Sequence, residues 1–293
     1  MDASQILQLV ASGLVTGSIY ALVALGFTVI FKSTDAINFA QGEWVMAGGM
    51  IGAFLHTSFG LAPLLLVPIA VGAVALLGLV SERLAIHPLK TPSPMLLTLI
   101  TIAVAITTRA AIMLLLGKQP TGLPSFTGSE NIHFAGISLP PQALWIFGVT
   151  ILVMIGTHIF FQKSLLGRAM RAAAADREAA GLVGINVSRM AMWSFVIAAA
   201  IGAIAGLIIT PLTLTSVNVG LMLGFKGFSA AMLGGLGNLH GAIVGGLLLG
   251  LLESLSAGLL SSQFKDAVAF VVLLIVLFLR PAGLLGRAST ERA

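Results

Sequence analysis

Charged residues are scarce in this chain, and cysteine is absent. Only 9% of the 293 residues are charged, whereas 58% are hydrophobic. Soluble domains carry roughly a quarter of their residues as charged side chains, so this chain has too little polar surface to cover a soluble globule. The composition therefore indicates a protein that contacts lipid. The lack of cysteine excludes disulfides, thiolate catalysis and cysteine-ligated metals.

Other common signatures are missing as well. The chain has no Gly-rich phosphate loop with its lysine, so we do not expect it to bind ATP in that way, and no cofactor or metal is expected. The net charge of +5 is spread over short segments between apolar runs, which is typical of membrane topology and does not predict nucleic-acid binding. Residues 1–5 carry no basic residue, so the first apolar run is predicted to be a retained helix.

Apolar runs of about 20 residues, the length that crosses a bilayer as a helix, recur along the whole chain. They cover residues 6–31, 37–55, 62–80, 95–117, 142–161, 191–211, 225–260 and 267–279. The run 225–260 is too long for one upright helix, and the glycines in its middle predict two short passes or a re-entrant pair facing the bundle interior. The predicted fold is an all-α integral membrane protein, a polytopic helical bundle of about 8 to 9 transmembrane helices with broken or re-entrant Gly-rich segments. Residues 1–293 are predicted to form a single transmembrane domain.

Positive residues orient the chain, because Lys and Arg concentrate in cytoplasmic loops. Eleven of the 15 Lys and Arg residues fall on one side of the predicted membrane, five of them in the segment 163–189. We therefore expect the N-terminus outside, the C-terminus inside and an odd number of crossings. Small residues four positions apart predict close packing of helix backbones; they include Gly13 and Gly17, Gly48 and Gly52, Gly202 and Gly206, and Gly246 and Gly250.

A short polar patch surrounds Gly42 at the start of the second run, with Asn38, Gln41 and Glu43. Polar groups at membrane depth are costly unless they are paired or hydrated. Two readings stay open: the patch is an unwound segment exposed to a translocation path, or it caps a helix that begins at the membrane surface. A faint repeat between residues 13–39 and 206–228 predicts that two such breaks face each other, with Phe39 near Phe228.

Two charged residues lie deep in apolar runs, Arg109 and Glu253. Arg109 is placed either to snorkel to the surface or to act in packing or the pore. The sequence does not determine whether these two residues pair with each other.

The polar segment 162–190 is the longest between the runs. Its Ala, Arg and Glu residues favour helix, and Asp176 and Gly184 are placed to separate two short helices. Leu182, Val183 and Ile185 would then be available to a partner. A positively charged loop with no partner is the alternative reading from composition alone.

Several segments resemble, in order along the chain, the permease subunits of branched-chain amino acid ABC transporters of the LivH type. The cytoplasmic segment 167–185 resembles the loop that couples to the ATPase in that family, residues 17–28 and 37–43 resemble its N-terminal signature, and residues 233–246 resemble its Gly-rich signature. Residues 81–83 and 87–89 resemble a short inner turn. Two positions depart from the family pattern, since Gln41 stands where a His is common and His240 where a Pro is common.

The resemblance implies a permease in the bacterial inner membrane that carries branched-chain amino acids, or related small amino acids, amides or urea, and performs no covalent chemistry. It implies ABC ATPase subunits that hydrolyse ATP, a second permease subunit that is a homologue or a second copy, and a periplasmic substrate-binding protein. The implied substrate path contains Asn38, Phe39, Gln41, Gly42, Glu43, Gly234, Gly235 and Gly237. The implied ATPase-coupling residues are Arg171, Asp176, Glu178, Ala179, Ala180, Gly184 and Ile185.

Two other classes of function are weighed against this one. A stand-alone secondary transporter or channel would need ion-coupling carboxylates in mid-span, and only Glu253 is suitably placed. An intramembrane enzyme would need a nucleophile and a base facing one cavity, and His158 and Ser164 lie near a membrane edge.

Overall fold

The computed structural model describes residues 2–89, 93–134, 136–259 and 261–286. Within them, nine long helices form the bundle: α1 (Ala3–Thr34), α2 (Gln41–Phe59), α3 (Pro63–Ser81), α4 (Pro94–Leu116), α5 (Pro141–Lys163), α8 (Val187–Ile209), α9 (Val219–Gly234), α10 (Leu239–Leu259) and α11 (Lys265–Leu279). Two short helices, α6 (Leu165–Ala175) and α7 (Arg177–Leu182), connect α5 to α8, and a π-helical turn (Glu82–Ile86) extends α3. A small hairpin of β1 (Ile132–Phe134) and β2 (Ile137–Leu139) precedes α5.

Six of the nine long helices are long and apolar enough to cross a membrane by length and composition. The others are α2, which has a polar first turn, and α9 and α11, whose apolar stretches are shorter. The predicted all-α polytopic bundle is confirmed, apart from the hairpin. The hairpin escaped the sequence analysis because its strands have only three residues each, too few to show an alternating pattern.

The bundle has two ends, which the contacts of α1 define. At the hairpin end, Gln8 exchanges hydrogen bonds of 2.8 and 2.9 Å with the backbone of Ser138 in β2. At the opposite end, called the coupling end below, Arg177 of α7 donates to the Thr34 carbonyl at 2.7 Å. The segment after α11 is also at the coupling end, since Leu284 donates its backbone N–H to the Leu233 carbonyl. The two termini of the described chain therefore lie at opposite ends of the bundle, as an odd number of crossings requires.

Helix α1 runs through the centre of the bundle and is enclosed by α5, α8, α9 and α10. Its contact with α10 is made by small residues, because a Cβ atom added at Gly17 would lie 2.9 Å from the Cα of Leu247. Gly13 meets Ser254 in the same way, and Gly250 faces Gly17. The small-residue spacing in these two helices therefore marks a backbone-to-backbone contact, as predicted.

The second small-residue contact joins α2 to α8. Gly48 packs on the backbone of Ala203, and Gly206 packs on Val45. Beside them, the Trp44 and Phe195 rings meet edge to face with centroids 5.8 Å apart. The close backbone contact and the buried aromatic pair together hold α2 against α8.

The chain re-enters the bundle between α1 and α2. Asp35 takes a left-handed conformation (φ 56°) that ends α1 and turns the chain back. The Gln41 side chain then reaches Gly26, which lies eight residues before Thr34, or roughly 12 Å along a helix rising about 1.5 Å per residue. Helix α2 therefore begins inside the bundle, which favours the reading of the polar patch as an unwound segment over its reading as the cap of a helix at the membrane surface.

The Gly-rich run contains parts of two helices, α9 and α10, and its break lies elsewhere than predicted. Helix α9 begins at Val219, six residues before the expected run, and already ends at Gly234. The turn that follows, with Gly235 at φ 106° and Gly237 at φ 82°, lies at the coupling end, where Lys32 donates to the Gly237 carbonyl at 3.3 Å. Ala282 and Gly286 cover it. The break is thus buried at an end of the bundle instead of in mid-span.

We expect Gly17→Ala to lower the thermal midpoint of the protein in detergent. The added methyl group would press on the Leu247 backbone, and overpacking of this kind costs about 1 to 3 kcal/mol. Gly148→Ala in α5 is the matched control, because nothing lies within 4 Å of the added Cβ. Equal thermal midpoints for the two variants would contradict the close contact of α1 with α10.

Candidate substrate path and coupling elements

A cavity of about 370 Å³ lies between α2, α4 and α9. One ion pair, Glu43 with Arg109, is set in walls that are otherwise apolar; the remaining lining residues are Phe39, Ile102, Ala105, Ile106, Gly220, Leu221, Gly224 and Phe225. Leu221 and Phe225 are 47% and 46% exposed, so the cavity opens on the surface of the chain. An apolar pocket with a few convergent polar groups is the usual form of a small-molecule site.

The ion pair joins the first turn of α2 to the middle of α4. Arg109 contacts both carboxylate oxygens of Glu43, with its Nε 3.3 Å from Oε2. The Glu43 side chain is 2% exposed, whereas the Arg109 side chain is 30% exposed. A buried carboxylate needs such a partner, and the positive end of the α2 dipole adds to its stabilisation. Arg109 thus pairs with Glu43 and not with Glu253.

Asn38 and Gln41 are fully buried. Their hydrogen bonds hold the chain between α1 and α2, residues 35–40, which is called the re-entrant segment below. The Asn38 Oδ1 accepts from the Ala40 N–H at 3.1 Å, and the Gln41 Nε2 donates to the Ala198 carbonyl at 3.0 Å. The Phe39 N–H donates to Thr101 of α4 at 3.1 Å. These contacts tie the start of α2 to α4 and α8.

Gln41 and Gly42 pack closely against glycines of neighbouring helices. The Gln41 amide fits against Gly26 of α1 and Gly202 of α8, and a Cβ at Gly202 would lie 3.1 Å from its Nε2. Gly42 packs directly on Gly220 and Gly224, so the first turns of α2 and α9 touch. Gln41 therefore lies outside the cavity, and Gly42 lies at the contact between two of its walls.

The structure separates the predicted path residues into two groups. Phe39 and Glu43 line the cavity, and Asn38, Gln41 and Gly42 support it. Gly234, Gly235 and Gly237, in contrast, lie in the turn at the coupling end, packed against Gly241, Gly286 and Phe31. These glycines were expected to lie on one path with the polar patch, but they lie away from it. Because α9 starts six residues earlier than expected, the turn that follows it lies at the end of the bundle.

The faint repeat predicted that Phe39 and Phe228 lie close together, and they do. Their ring centroids are 5.5 Å apart, and Phe228 also meets Phe27 at 5.8 Å. The segment before α2 therefore packs against the middle of α9.

A second intramembrane ion pair joins α9 to α10. Glu253 is 5% exposed and pairs with Lys226, accepts from the Tyr20 hydroxyl at 2.7 Å and lies 3.9 Å from Lys265. Sequence reasoning missed this pair, because a run that begins at residue 225 puts Lys226 in its first turn, on the outer side of the predicted membrane. The signal was available, since a buried Glu253 demands a cation nearby.

The coupling end carries the two short helices that the sequence predicted. Asp176 separates them, and its side chain caps α7 by accepting from the N–H groups of Glu178 and Ala179 at 2.9 and 3.0 Å. Gly184 at φ 86° ends the segment. Leu182 and Val183 project from it and are 89% and 76% exposed.

Three of the predicted coupling residues face the bundle. Ala180 is 4% exposed. Ile185 was expected to be available to a partner, but it packs on the hydrophobic core. Its backbone N–H reaches back to the Ala180 carbonyl at 2.9 Å and folds the chain inwards. Arg171 is half-buried and donates to Gln162 at 3.3 Å. Glu178 and Ala179 are exposed beside Leu182.

A bundle of apolar helices, a cavity with one ion pair beside a re-entrant segment, and a helix pair projecting from one end together define a polytopic membrane permease. Residues 9–277 match the family model for the branched-chain amino acid transport system / permease component, and the chain belongs to this family. The family resemblance seen in the sequence is thereby confirmed.

Full-length relatives agree with this assignment. The chain is 37% identical to the high-affinity branched-chain amino acid transport system permease protein LivH of Escherichia coli strain K12, over 98% of this chain and 97% of the relative. It is 35% identical to BraD, the corresponding permease protein of Pseudomonas aeruginosa, over the same shares. A chain of PsaBC from Streptococcus pneumoniae, solved in complex with Fab, shares the fold with a TM-score of 0.51 at 13% identity, covering 92% of this chain and 91% of that one.

Asp176→Ala should loosen α7, because the two N–H groups that Asp176 caps lose their acceptor. Loss of such a cap costs about 1 kcal/mol, so amide exchange at Glu178 and Ala179 should speed up about fivefold. Asp176→Asn is the matched control, since asparagine caps equally well. Equal exchange in both variants would show that packing alone holds α7.

Proposed function

We propose that this chain is the membrane-spanning subunit of an importer of branched-chain amino acids driven by separate ATPase subunits, and that the solute passes through the cavity between α2, α4 and α9. The observation that carries the proposal is the Glu43–Arg109 pair in an apolar cavity. The printed names of LivH and BraD support the substrate class.

The cavity complements a branched-chain amino acid in both halves of that molecule. The ammonium and carboxylate groups need opposite charges, which Glu43 and Arg109 supply. Arg109 has five N–H donors and is partly exposed, so it can keep Glu43 and still donate to a carboxylate. The aliphatic side chain would lie against Ile102, Ile106 and Leu221, where burial of apolar surface favours binding.

The open side of the cavity suits a second permease subunit. Leu221 and Phe225 are large apolar side chains exposed at its rim, and a path between two subunits would be closed by the partner's equivalent surface. We propose that a homologue or a second copy of this chain fills that place.

Positive charge orients the protein, and the coupling end is proposed to face the cytoplasm. Arg168, Arg171, Arg177 and Arg189 lie in or next to α6 and α7, as the positive-inside rule requires. The N-terminus and the hairpin would then face the outside of the inner membrane, where a substrate-binding protein would deliver the solute.

Coupling would run from α7 to the re-entrant segment. The exposed Leu182 and Val183 form an apolar surface for an ATPase subunit. Arg177 of the same helix holds the Thr34 carbonyl, directly before the turn that leads to Glu43. A movement of α7 would thus shift the start of α2 against α9, opening or closing the cavity.

A stand-alone ion-coupled carrier is disfavoured by the one carboxylate that it would use. Glu253 is already paired with Lys226 and hydrogen-bonded to Tyr20. These contacts give Glu253 a structural role, since they join α1, α9 and α10.

We expect Glu43→Gln to weaken leucine uptake by the reconstituted importer, raising the apparent KM about tenfold. The substitution replaces the carboxylate by a neutral amide, which still accepts a hydrogen bond but no longer attracts the ammonium group by its charge, and a charge-assisted hydrogen bond is about twice as strong as a neutral one. The matched control is Glu253→Gln, which breaks the other intramembrane pair and should lower the thermal midpoint while leaving the apparent KM unchanged. An unchanged KM in Glu43→Gln would reject the cavity as the substrate path.

Glu178→Arg should abolish co-purification of ATPase subunits with the tagged chain, since Glu178 is exposed beside Leu182 on α7. Glu130→Arg reverses an exposed charge near the hairpin end and should leave co-purification unchanged. If the native chain purified alone and still moved leucine without ATP, the importer proposal would fail.

A further inference from the structure

Thr101 of α4 connects this helix to the re-entrant segment. Its hydroxyl accepts from the Phe39 N–H at 3.1 Å and lies 3.2 Å from the Ile37 carbonyl, and the residue is 1% exposed. The hydroxyl carries a single proton, which it can also donate to the Thr98 carbonyl within α4, at 2.7 Å. The bond from Phe39 therefore forms whichever way the hydroxyl proton points.

The N–H groups of the re-entrant segment need acceptors, because non-helical backbone at membrane depth has no water to bind. The Ala40 N–H finds one locally, on the Asn38 side chain at 3.1 Å. The Phe39 N–H reaches instead to a different helix, at a residue 62 positions further along the chain. Removal of the Thr101 hydroxyl would leave this buried N–H group without its acceptor, which disfavours the observed position of the segment.

Thr101 and Arg109 are about two turns apart along α4, and Ala105, which lines the cavity, lies between them. The start of α2 is therefore attached to α4 at two points. Phe39 donates to the first of these residues, and Glu43 pairs with the second. Phe39 and Glu43 both line the cavity. The two attachments together fix the distance and register of the re-entrant segment relative to α4, and with them the shape of the cavity.

The two attachments differ in how a solute would affect them. An incoming amino acid offers opposite charges to Glu43 and Arg109, so it competes with their pairing. The neutral Thr101 hydrogen bond meets no such competition, because Thr101 lies outside the lining of the cavity. It can hold Phe39 in place while Glu43 turns to the ammonium group of the solute, and binding depends on such prior positioning of the charged groups.

We propose that Thr101 is a positioning residue for substrate binding. It anchors the re-entrant segment to α4 and so holds Glu43 at the distance from Arg109 at which the two charges receive an amino acid. Thr101 does not touch the solute and acts through Phe39 and Glu43, whose place it sets. This inference rests on the proposed function of the cavity.

The test compares Thr101→Val with the native chain in leucine uptake by the reconstituted importer. Valine keeps the branched side chain but removes the acceptor for the Phe39 N–H. We expect the apparent KM for leucine to rise about fivefold, while the maximal rate changes by less than about twofold. Thr101→Ser returns the hydroxyl and should bring the KM back to within about twofold of the native value.

Thr150→Val in α5 is the matched control. Thr150 is 3% exposed, and its hydroxyl has no hydrogen-bond partner among the residues that the structure describes. The same exchange of hydroxyl for methyl in a buried helix position should therefore leave the KM unchanged. An equal rise of the KM in this control would show a general effect of the substitution and overturn the inference.

A double-mutant cycle with Glu43→Gln separates this inference from the proposed function. If Thr101 acts through Glu43, the variant with both substitutions should have nearly the KM of Glu43→Gln alone. A KM raised by the product of the two single effects would give Thr101 an independent role and overturn the inference. A lower thermal midpoint in Thr101→Val with an unchanged KM would also overturn it, since the bond would then be purely structural. If Glu43→Gln itself left the KM unchanged, the proposed path would fail, and the inference with it.

Discussion

A charged or polar group inside a bilayer must find a partner within the protein, and much of this structure follows from that constraint. Glu43, at 2% exposure, is held by Arg109, and Glu253, at 5%, is held by Lys226 and Tyr20. Each pair ties two helices together, α2 to α4 and α9 to α10. Loss of one partner would leave an uncompensated charge, which costs far more than the pair contributes. The first pair borders the cavity between α2, α4 and α9.

Glycine makes this arrangement sterically possible. The carboxamide of Gln41 fits because Gly26 and Gly202 carry no side chain, and the first turn of α2 reaches α9 because Gly42, Gly220 and Gly224 let the backbones touch. In a bilayer the approach of helices depends on packing and hydrogen bonds instead of exclusion of water. The same residues that hold the bundle together therefore also shape the walls of the proposed substrate path.

The two ends of the bundle are proposed to contact different partner proteins. The hairpin end is proposed to meet a substrate-binding protein, and the exposed Leu182 and Val183 at the coupling end are proposed to meet an ATPase. The Arg177 contact with the Thr34 carbonyl lies between α7 and the re-entrant segment. In the proposed mechanism, this short contact would transmit a movement of α7 to the cavity without a long chain of intermediate residues.

The sequence by itself determined the class of the protein, a count of about eight to nine long helices, the two short helices around Asp176 and the small-residue contacts. Composition and the length of apolar runs decide these features, because lipid admits few backbone arrangements. Asp176 and Gly184 were readable because caps and left-handed turns depend on neighbouring residues. Tertiary structure alone decided that Arg109 pairs with Glu43, that Lys226 lies inside the bundle and that Gly234, Gly235 and Gly237 lie at the coupling end. Each of these depends on where one helix begins relative to another, and helix boundaries in an apolar run of glycines carry little local signal.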